Sequence, residues 1–501
     1  MEGPDRNAGD IVRLEVAADV RAAHARGDHR RVASLLQASP IEAWFSLMPH
    51  ELRAVLAALP PLQRRASPQL TILGLMLEAP GHEAGRNPGR DQVERMRRGV
   101  NHIRLRMRGA PRTALRHFPG VSAAVRTVSA LFDTTGGLEA VVSVQTGITQ
   151  MLAGDLTGAL ANFTRAQLNP HRGLPFLARD AHVKGALIHA QFGDARLARI
   201  QLDAAARVAR TDSWAELVID THAELAEILL LPAGSPEAVT RLESVPLGSV
   251  GELWPYHILA LQAVYARADR RADGASRIET MRAAAPPAEA GEGLPGSVFG
   301  VVLAEDAALR GDPAAARVLL AQADPALAGT ALATALVDHV AGEYERAVQG
   351  LVEVQGATEG LRRTDIRRLA LLAASLQGAG ELDACVETLE QLHRRYGALS
   401  SNERLSLPTV LWPLIGERFG GWLTFSQAAA RIELPTADSI LTAREREVLG
   451  CLAAGQTRDQ VAATLFISVN TVKTHQRSLY RKLDATSRAE ALVEAARRGL
   501  V

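Results

Sequence analysis

The sequence predicts an all-α protein: a solenoid-like body of helical repeats followed by a small C-terminal module of four helices. Three observations predict it. Aromatic residues make up only 4% of the 501 residues while apolar residues reach 47%, so the cores must be built from Leu, Ala and Val, a mixture that favours helices over sheets. Apolar residues recur every three and four positions from the N-terminus to about Pro435, with no strand-like alternation. A Gly-acid pair also punctuates these stretches repeatedly, at Gly27-Asp28, Gly154-Asp155, Gly193-Asp194, Gly311-Asp312, Gly342-Glu343 and Gly380-Glu381. The chain is too long for one ordinary core, which a repeat array plus a separate module accommodates.

In chain order, Met1 to Gly9 are polar and lack the basic-then-apolar order of a signal peptide, and no uninterrupted apolar run approaches the ~18 residues that span a bilayer. The two cysteines, Cys385 and Cys451, lie far apart and without metal-ligand spacing. A reducing compartment is expected, hence a cytoplasmic protein without membrane contact.

Residues 1–430 read as the helical body. In "AGDLTGALANFTRA" (153–166) Ala159, Leu160, Phe163 and Ala166 share a face, and in "AGEYERAVQGLVEV" (341–354) Ala347, Val348 and Leu351 do likewise. Gly can turn left-handed where one helix ends, and the acid after it can cap the next. The repeat distances of 31 to 39 residues suit helix pairs that stack on their neighbours. Across about 150–395 the pattern resembles a degenerate tetratricopeptide-type array. The Pro/Gly-rich stretches 79–91 and 285–297 read as loops, and Gly234 and Ala268 are weaker turn candidates.

Catalytic and cofactor signatures are lacking. A phosphate-binding P-loop requires Gly-Lys-Ser/Thr, yet the residues preceding the three lysines are Val183, Val472 and Arg481. Lys184 sits in a helical stretch, not beside an aspartate cluster on a parallel sheet as a receiver domain requires. His182 and His189 share a helix face without a third ligand, which predicts packing and not metal binding. The expectation is a protein that is no enzyme, with no catalytic residues, metal or cofactor.

From Leu441 to Val501 the chain holds ten Lys/Arg and six Asp/Glu, a balance of +4, against −3 for the 46 basic and 49 acidic residues before it. Two of the three lysines in the chain lie here. A basic balance confined to one small module is the footprint of a part that binds polyanions. Thr442 with Glu445, Thr457 with Gln460, Ser468, and Ser487 with Glu490 mark the starts of four helices, the last stopped by Gly499. In the third, Val472, Leu479 and Leu483 point inward while Lys473, Arg477 and Arg481 form a basic stripe. Two helices joined at Phe466 to Ser468 thus make a helix-turn-helix whose second helix fits a DNA major groove. There Lys473 meets a guanine edge or a phosphate, Thr474 offers a hydroxyl or methyl to a base, and the amides near Asn470 and Thr471 favour phosphate. Lys482 lies off the stripe and points to backbone phosphate or solvent.

"LTAREREVL", Gly455, Val461-Ala462, "LFIS" (465–468), "NTVKTH" (470–475), "KL" (482–483) and "SRAEA" (487–491) closely resemble the LuxR-type helix-turn-helix of bacterial transcription regulators. The resemblance covers about 60 residues. It departs at Gln460, where the family commonly has glutamate, and at Arg458-Asp459, where an Asn-Lys-type pair is usual. It implies that Lys473, Thr474 and Arg477 read the groove, that Thr471 and its neighbours hold phosphates, and that Ala491, Leu492 and Ala495 pair two subunits. With the body, the architecture resembles the large maltose-regulator-like group without its ATP-binding module. The expected partners are double-stranded DNA bound by a homodimer, RNA polymerase, and a protein, peptide or small-molecule effector at the body. Residues 431–440, interrupted by Pro435, are expected to link the body to residues 441–501. A repeat scaffold with incidental DNA contact is the alternative that the residues leave open.

Overall fold

The computed structural model describes residues 11–77, 101–117, 137–168, 170–171, 173–420, 422, 432–435, 441, 443–465, 467–497 and 500. Met1 to Gly9, the stretch 79–91, Thr442, Phe466, Gly499 and parts of 431–440 lie outside them. Among the described residues every regular element is a helix, and Val12 pairs with Thr211 in an isolated bridge. The protein is all-α, as the sequence predicts. The chain divides into two compact units, one of residues 1–231, 240–260 and 285–296, the other of 232–239, 261–284 and 297–501.

The first unit begins with short helices over Glu15–Leu77 that bury Val20, Val32, Leu36, Leu52, Leu59 and Leu70 in one cluster. Helix pairs follow: Leu138–Ala153 with Leu156–Leu168, and Phe176–Gln191 with Ala195–Arg207. In the second unit the pairs are Val298–Leu309 with Pro313–Leu320, Ala328–Val340 with Tyr344–Glu353, and Arg362–Gly378 with Leu382–Tyr396, each packed on the next. The first helix of a pair is the more enclosed. Phe176–Gln191 buries residues all around its circumference, whereas Leu156–Leu168 buries the single stripe Ala159, Phe163 and Ala166. Lys184 lies on that enclosed helix, ion-paired with Asp180 one turn earlier.

The Gly-acid turns close these pairs. At five of the six expected positions the glycine has φ between +69° and +89°, a region that costs side-chain-bearing residues energy. Gly193 is the exception; it is needed for space, since a Cβ there would stand 2.6 Å from His189 Nδ1. The acids split by length. Asp28, Asp155, Asp194 and Asp312 each accept a backbone N–H in the next helix at 2.7–3.0 Å. Glu343 and Glu381 stand at the same place without a side-chain cap, because the extra methylene carries the carboxylate past the first turn. Residues 285–297 connect helices without regular structure.

Three enclosed histidines make the fold acid-sensitive. In the first unit the His102 ring contacts Ala114 O at 2.8 Å and His222 contacts Val250 O at 2.9 Å; in the second, His339 contacts Ser375 Oγ at 3.0 Å. Burial pulls each imidazole down to about 4. The unfolded chain protonates near 6.5 while the folded chain does not, so the unfolded state binds more protons between these values and stability falls with pH. The contribution is complete above about 6.5 and is lost progressively toward about 4, reaching roughly 2 kcal/mol per imidazole by pH 5. Urea unfolding at pH 7.5 and pH 5 measures it; equal midpoints contradict the assignment.

Candidate nucleic-acid interface

The C-terminal module, part of the second unit, consists of helices Ala443–Ala453, Arg458–Thr464, Val469–Lys482 and Arg488–Arg497. Its local signals act largely as written. Thr457 and Gln460 complete a reciprocal capping box, and Ser468 Oγ accepts the Thr471 N–H at 3.1 Å. Ser487 accepts the Glu490 N–H at 3.2 Å, but the Glu490 carboxylate reaches one residue further back, to the N–H and hydroxyl of Thr486 at 2.7 Å. These donors hold Glu490 below the usual carboxylate range. Gly455, φ +80°, turns the first helix toward the second.

The inward face of the third helix is the expected one. Val472, Leu479 and Leu483 are fully buried, joined by Val448, Leu449, Leu452 and Val461 from the first two helices. With that stripe anchored, the opposite face is fixed toward solvent: Asn470, Lys473, Thr474, Arg477 and Arg481 are all exposed. Thr471 is half-buried. Thr474 Oγ1 returns a hydrogen bond to Asn470 O at 3.1 Å, which leaves its methyl group and oxygen lone pairs outward.

Four sequence-based expectations change. Lys482 is not presented to phosphate or solvent: its Nζ lies 2.9 Å from Glu445 Oε2, and the two side chains are 11% and 4% exposed. A nearly buried carboxylate requires a cation, and Lys482, one position beyond the stripe, is turned toward it. Ala491 and Ala495 are fully buried within the core of their own module and so cannot be the surface that pairs two subunits; Leu492 packs partly against that core. The large apolar residue exposed on the fourth helix is Val493, 72% accessible. The Thr471 amide is taken by the Ser468 cap, which removes it as a phosphate donor. Arg481, though exposed, has its Nε 3.3 Å from Asp312 Oδ2 in the helical body.

Sequence reasoning missed three internal contacts. Gln476, in the middle of the third helix, is buried and accepts from Arg458 Nε at 2.7 Å. Arg458 belongs to the pair that departs from the family pattern, and this bond shows what it does here: it braces the second helix against the third. Arg444 donates to Leu465 O, and Arg488 Nη1 to Gln456 O at 2.9 Å. Each arginine ties a neighbouring helix to a carbonyl at a helix end. Residue type and spacing alone do not separate such arginines from exposed ones.

Part of the expected linker is anchored. Ile432 O accepts from Thr409 N at 3.0 Å, and Leu434 packs partly against two apolar clusters, one of them shared by the module and the preceding helices. The body helix Pro313–Leu320 packs against the third helix of the module.

Among the described residues no group of His, Cys, Asp and Glu is arranged to hold a metal ion, and no helix is long and apolar enough to cross a membrane.

Comparison with known proteins places this module. Residues 439–495 match the family of bacterial regulatory proteins, luxR family. The chain is 48% identical over 62 residues to the probable transcriptional regulatory protein NarL of Mycobacterium tuberculosis, covering 12% of the chain and 29% of that protein. It is 46% identical over 76 residues to the probable transcriptional regulatory protein SgaR of Hyphomicrobium methylovorum, covering 13% and 36%. The HTH-type transcriptional regulator MalT of Serratia proteamaculans matches at 46% over 57 residues, covering 11% and 6%. The chain thus spans little more than a third of these relatives at most, and the likeness lies in one short stretch. Its C-terminus carries a luxR-family helix-turn-helix domain, the DNA-binding type of domain that the motifs imply.

Proposed function

We propose that the protein is a sequence-specific DNA-binding transcription regulator of the cytoplasm, in which residues 441–501 read DNA, residues 1–430 receive a signal and residues 431–440 join them. The observation that carries this reading is the face of Val469–Lys482. Three basic residues at four-residue intervals, with Thr474 and Asn470 between and before them, stand exposed on a helix whose other side is locked into the module core. A helix of this kind docks in a major groove, with its N-terminal half at the base edges and its cations on phosphate.

Regulation is supported by Arg481. The Asp312 carboxylate competes with a DNA phosphate for this guanidinium, and Pro313–Leu320 lies against the helix that must enter the groove. The module reads DNA fully only after the body releases it. A half-exposed ion pair holds such a contact weakly, which suits a switch. Two copies pair on DNA through the outer face of the fourth helix, where Ala489, Val493 and Ala496 are exposed at spacings of four and three. An effector at the body and RNA polymerase complete the set of partners.

Selection of duplexes from a random-sequence pool by the full chain tests the reading. Recovery of one shared site, bound more tightly than unselected DNA at physiological salt, is the expected result. Recovery of unrelated duplexes with equal affinity returns the chain to a helical-repeat scaffold with incidental DNA contact.

A further inference from the structure

Four arginines of the second unit lie near one carboxylate or beside one another: Arg271 and Arg367 face it, and Arg267 neighbours Arg363. Arg267 ends helix Trp254–Arg267, Arg271 begins Arg271–Arg282, and Arg363 and Arg367 lie one turn apart on Arg362–Gly378. The carboxylate is Glu305, on Val298–Leu309. Arg367 Nη2 stands 2.6 Å from Glu305 Oε1, and Gln262 Nε2 donates to Glu305 Oε2 at 2.7 Å. Both oxygens of Glu305 are therefore engaged.

Arg363 is left in a different state. Its Nε and Nη1 are sealed from solvent and meet no hydrogen-bond acceptor. Glu403, whose field reaches it, is committed to Arg362 at 2.6 Å and to the Ser400 amide at 2.8 Å. Arg267 lies within electrostatic reach of Arg363, and Arg271 within reach of Arg367, Glu305 and Asp269. Burial, with the Arg363 charge beside it, pulls the Arg267 guanidinium down from its usual range, and burial does the same to Arg271 and Arg363. Desolvated guanidinium N–H groups without an acceptor are destabilising unless a ligand supplies the acceptor.

We propose that Arg363, with Arg267 beside it, binds a small phosphate-bearing anion in the helical body. Phosphate oxygens match the planar fork of a guanidinium, and a multiply charged group spans neighbouring forks. The Arg363 Nε and Nη1 donors are shut away from bulk solvent, where the backbone of a duplex does not reach. That this site receives the regulatory signal rests on the regulator reading; the binding itself does not.

Thermal melts of the full chain decide it, using inorganic pyrophosphate as the probe, sodium chloride at matched ionic strength as the blank and citrate as the carboxylate comparison. Pyrophosphate is expected to raise the melting temperature by roughly 5 °C or more at a hundredfold excess over Kd. Arg363→Met is expected to melt no lower than wild type without the anion, since an unsatisfied buried charge is replaced by an apolar chain of similar length, and to lose the response. Calorimetric titration of the wild type gives a second measurement should the variant misfold. A wild type indifferent to pyrophosphate, an Arg363→Met protein that responds equally, or a response to citrate alone overturns the proposal. The melts contain no DNA, so they judge the anion site whether or not the chain retards a duplex. Unchanged affinity for the selected duplex when pyrophosphate is bound removes only the signalling role.

Discussion

Lys473→Ala and Arg477→Ala are each expected to weaken binding of the selected duplex by about 1–3 kcal/mol, roughly five- to 150-fold, with little change in the melting temperature of the chain. Both side chains are exposed on the third helix and neither contributes to the module core, so their loss removes contact with DNA without loosening Val472, Leu479 or Leu483. The two differ in kind. Lys473, in the first turns, is placed for a base edge, and its removal relaxes the preference at one position of the site. Arg477, one turn further, serves phosphate or a guanine; if phosphate, affinity falls alike for all sequences and the salt dependence flattens by about one unit. Lys482 is the contrast. Lys482→Ala takes away the ammonium that Glu445 faces inside the module, and the expected result is a drop in stability of about 3–5 kcal/mol, with DNA binding normal in the fraction that stays folded. Gel retardation read beside melting curves separates these outcomes. A Lys473→Ala, Arg477→Ala double variant that binds every duplex as wild type does removes the groove-reading role.

The contrast between Lys473 and Lys482 shows what the sequence can encode legibly. Periodicity states which side of a helix is apolar, and the core needs nothing more: Val448, Leu449, Leu452, Val461, Val472, Leu479 and Leu483 are buried as their spacing requires. Caps are legible too, because a short acid or hydroxyl acts within one turn, as Asp28, Asp312, Thr457 and Ser468 do. A polar side chain has a reach of several ångströms and chooses its partner in three dimensions. Lys482 finds Glu445 across 37 positions and Arg481 finds Asp312 across 169. Ala491 and Ala495 failed for a related reason: alanine suits a tight core and a tight subunit contact equally, and only packing decides between them.

Asp365→Ala is expected to lower the stability of the second unit by about 3–5 kcal/mol, among the largest effects available from one side chain in the body. Its position near the start of Arg362–Gly378 looks like an ordinary acid favouring a helix N-terminus, yet the residue is fully buried. Oδ1 accepts from Arg368 Nε at 2.8 Å and from Thr358 Oγ1 at 3.1 Å; Oδ2 accepts from the Tyr396 hydroxyl at 2.6 Å and lies 3.4 Å from Arg395 Nη1. The carboxylate therefore fastens the turn before one helix to the end of the next. Alanine would strand the Arg368 guanidinium, 1% exposed, with the Thr358 hydroxyl and Leu351 O as its remaining partners. An uncompensated buried cation costs far more than the pair contributes when intact. Burial, aided by the bond to Asp365, pushes the Tyr396 phenol well above its ordinary value, and removing the acid relieves part of that shift. Asp365→Asn retains the shape and one acceptor oxygen and is expected to lose less; Thr358→Val, which deletes the hydroxyl shared by Asp365, Arg368 and Gln355 O but leaves the Asp365–Arg368 ion pair in place, is expected to cost about 1–3 kcal/mol. Urea unfolding of the three variants checks this order, and an alanine variant as stable as the valine one shows that the network does not hold the unit together.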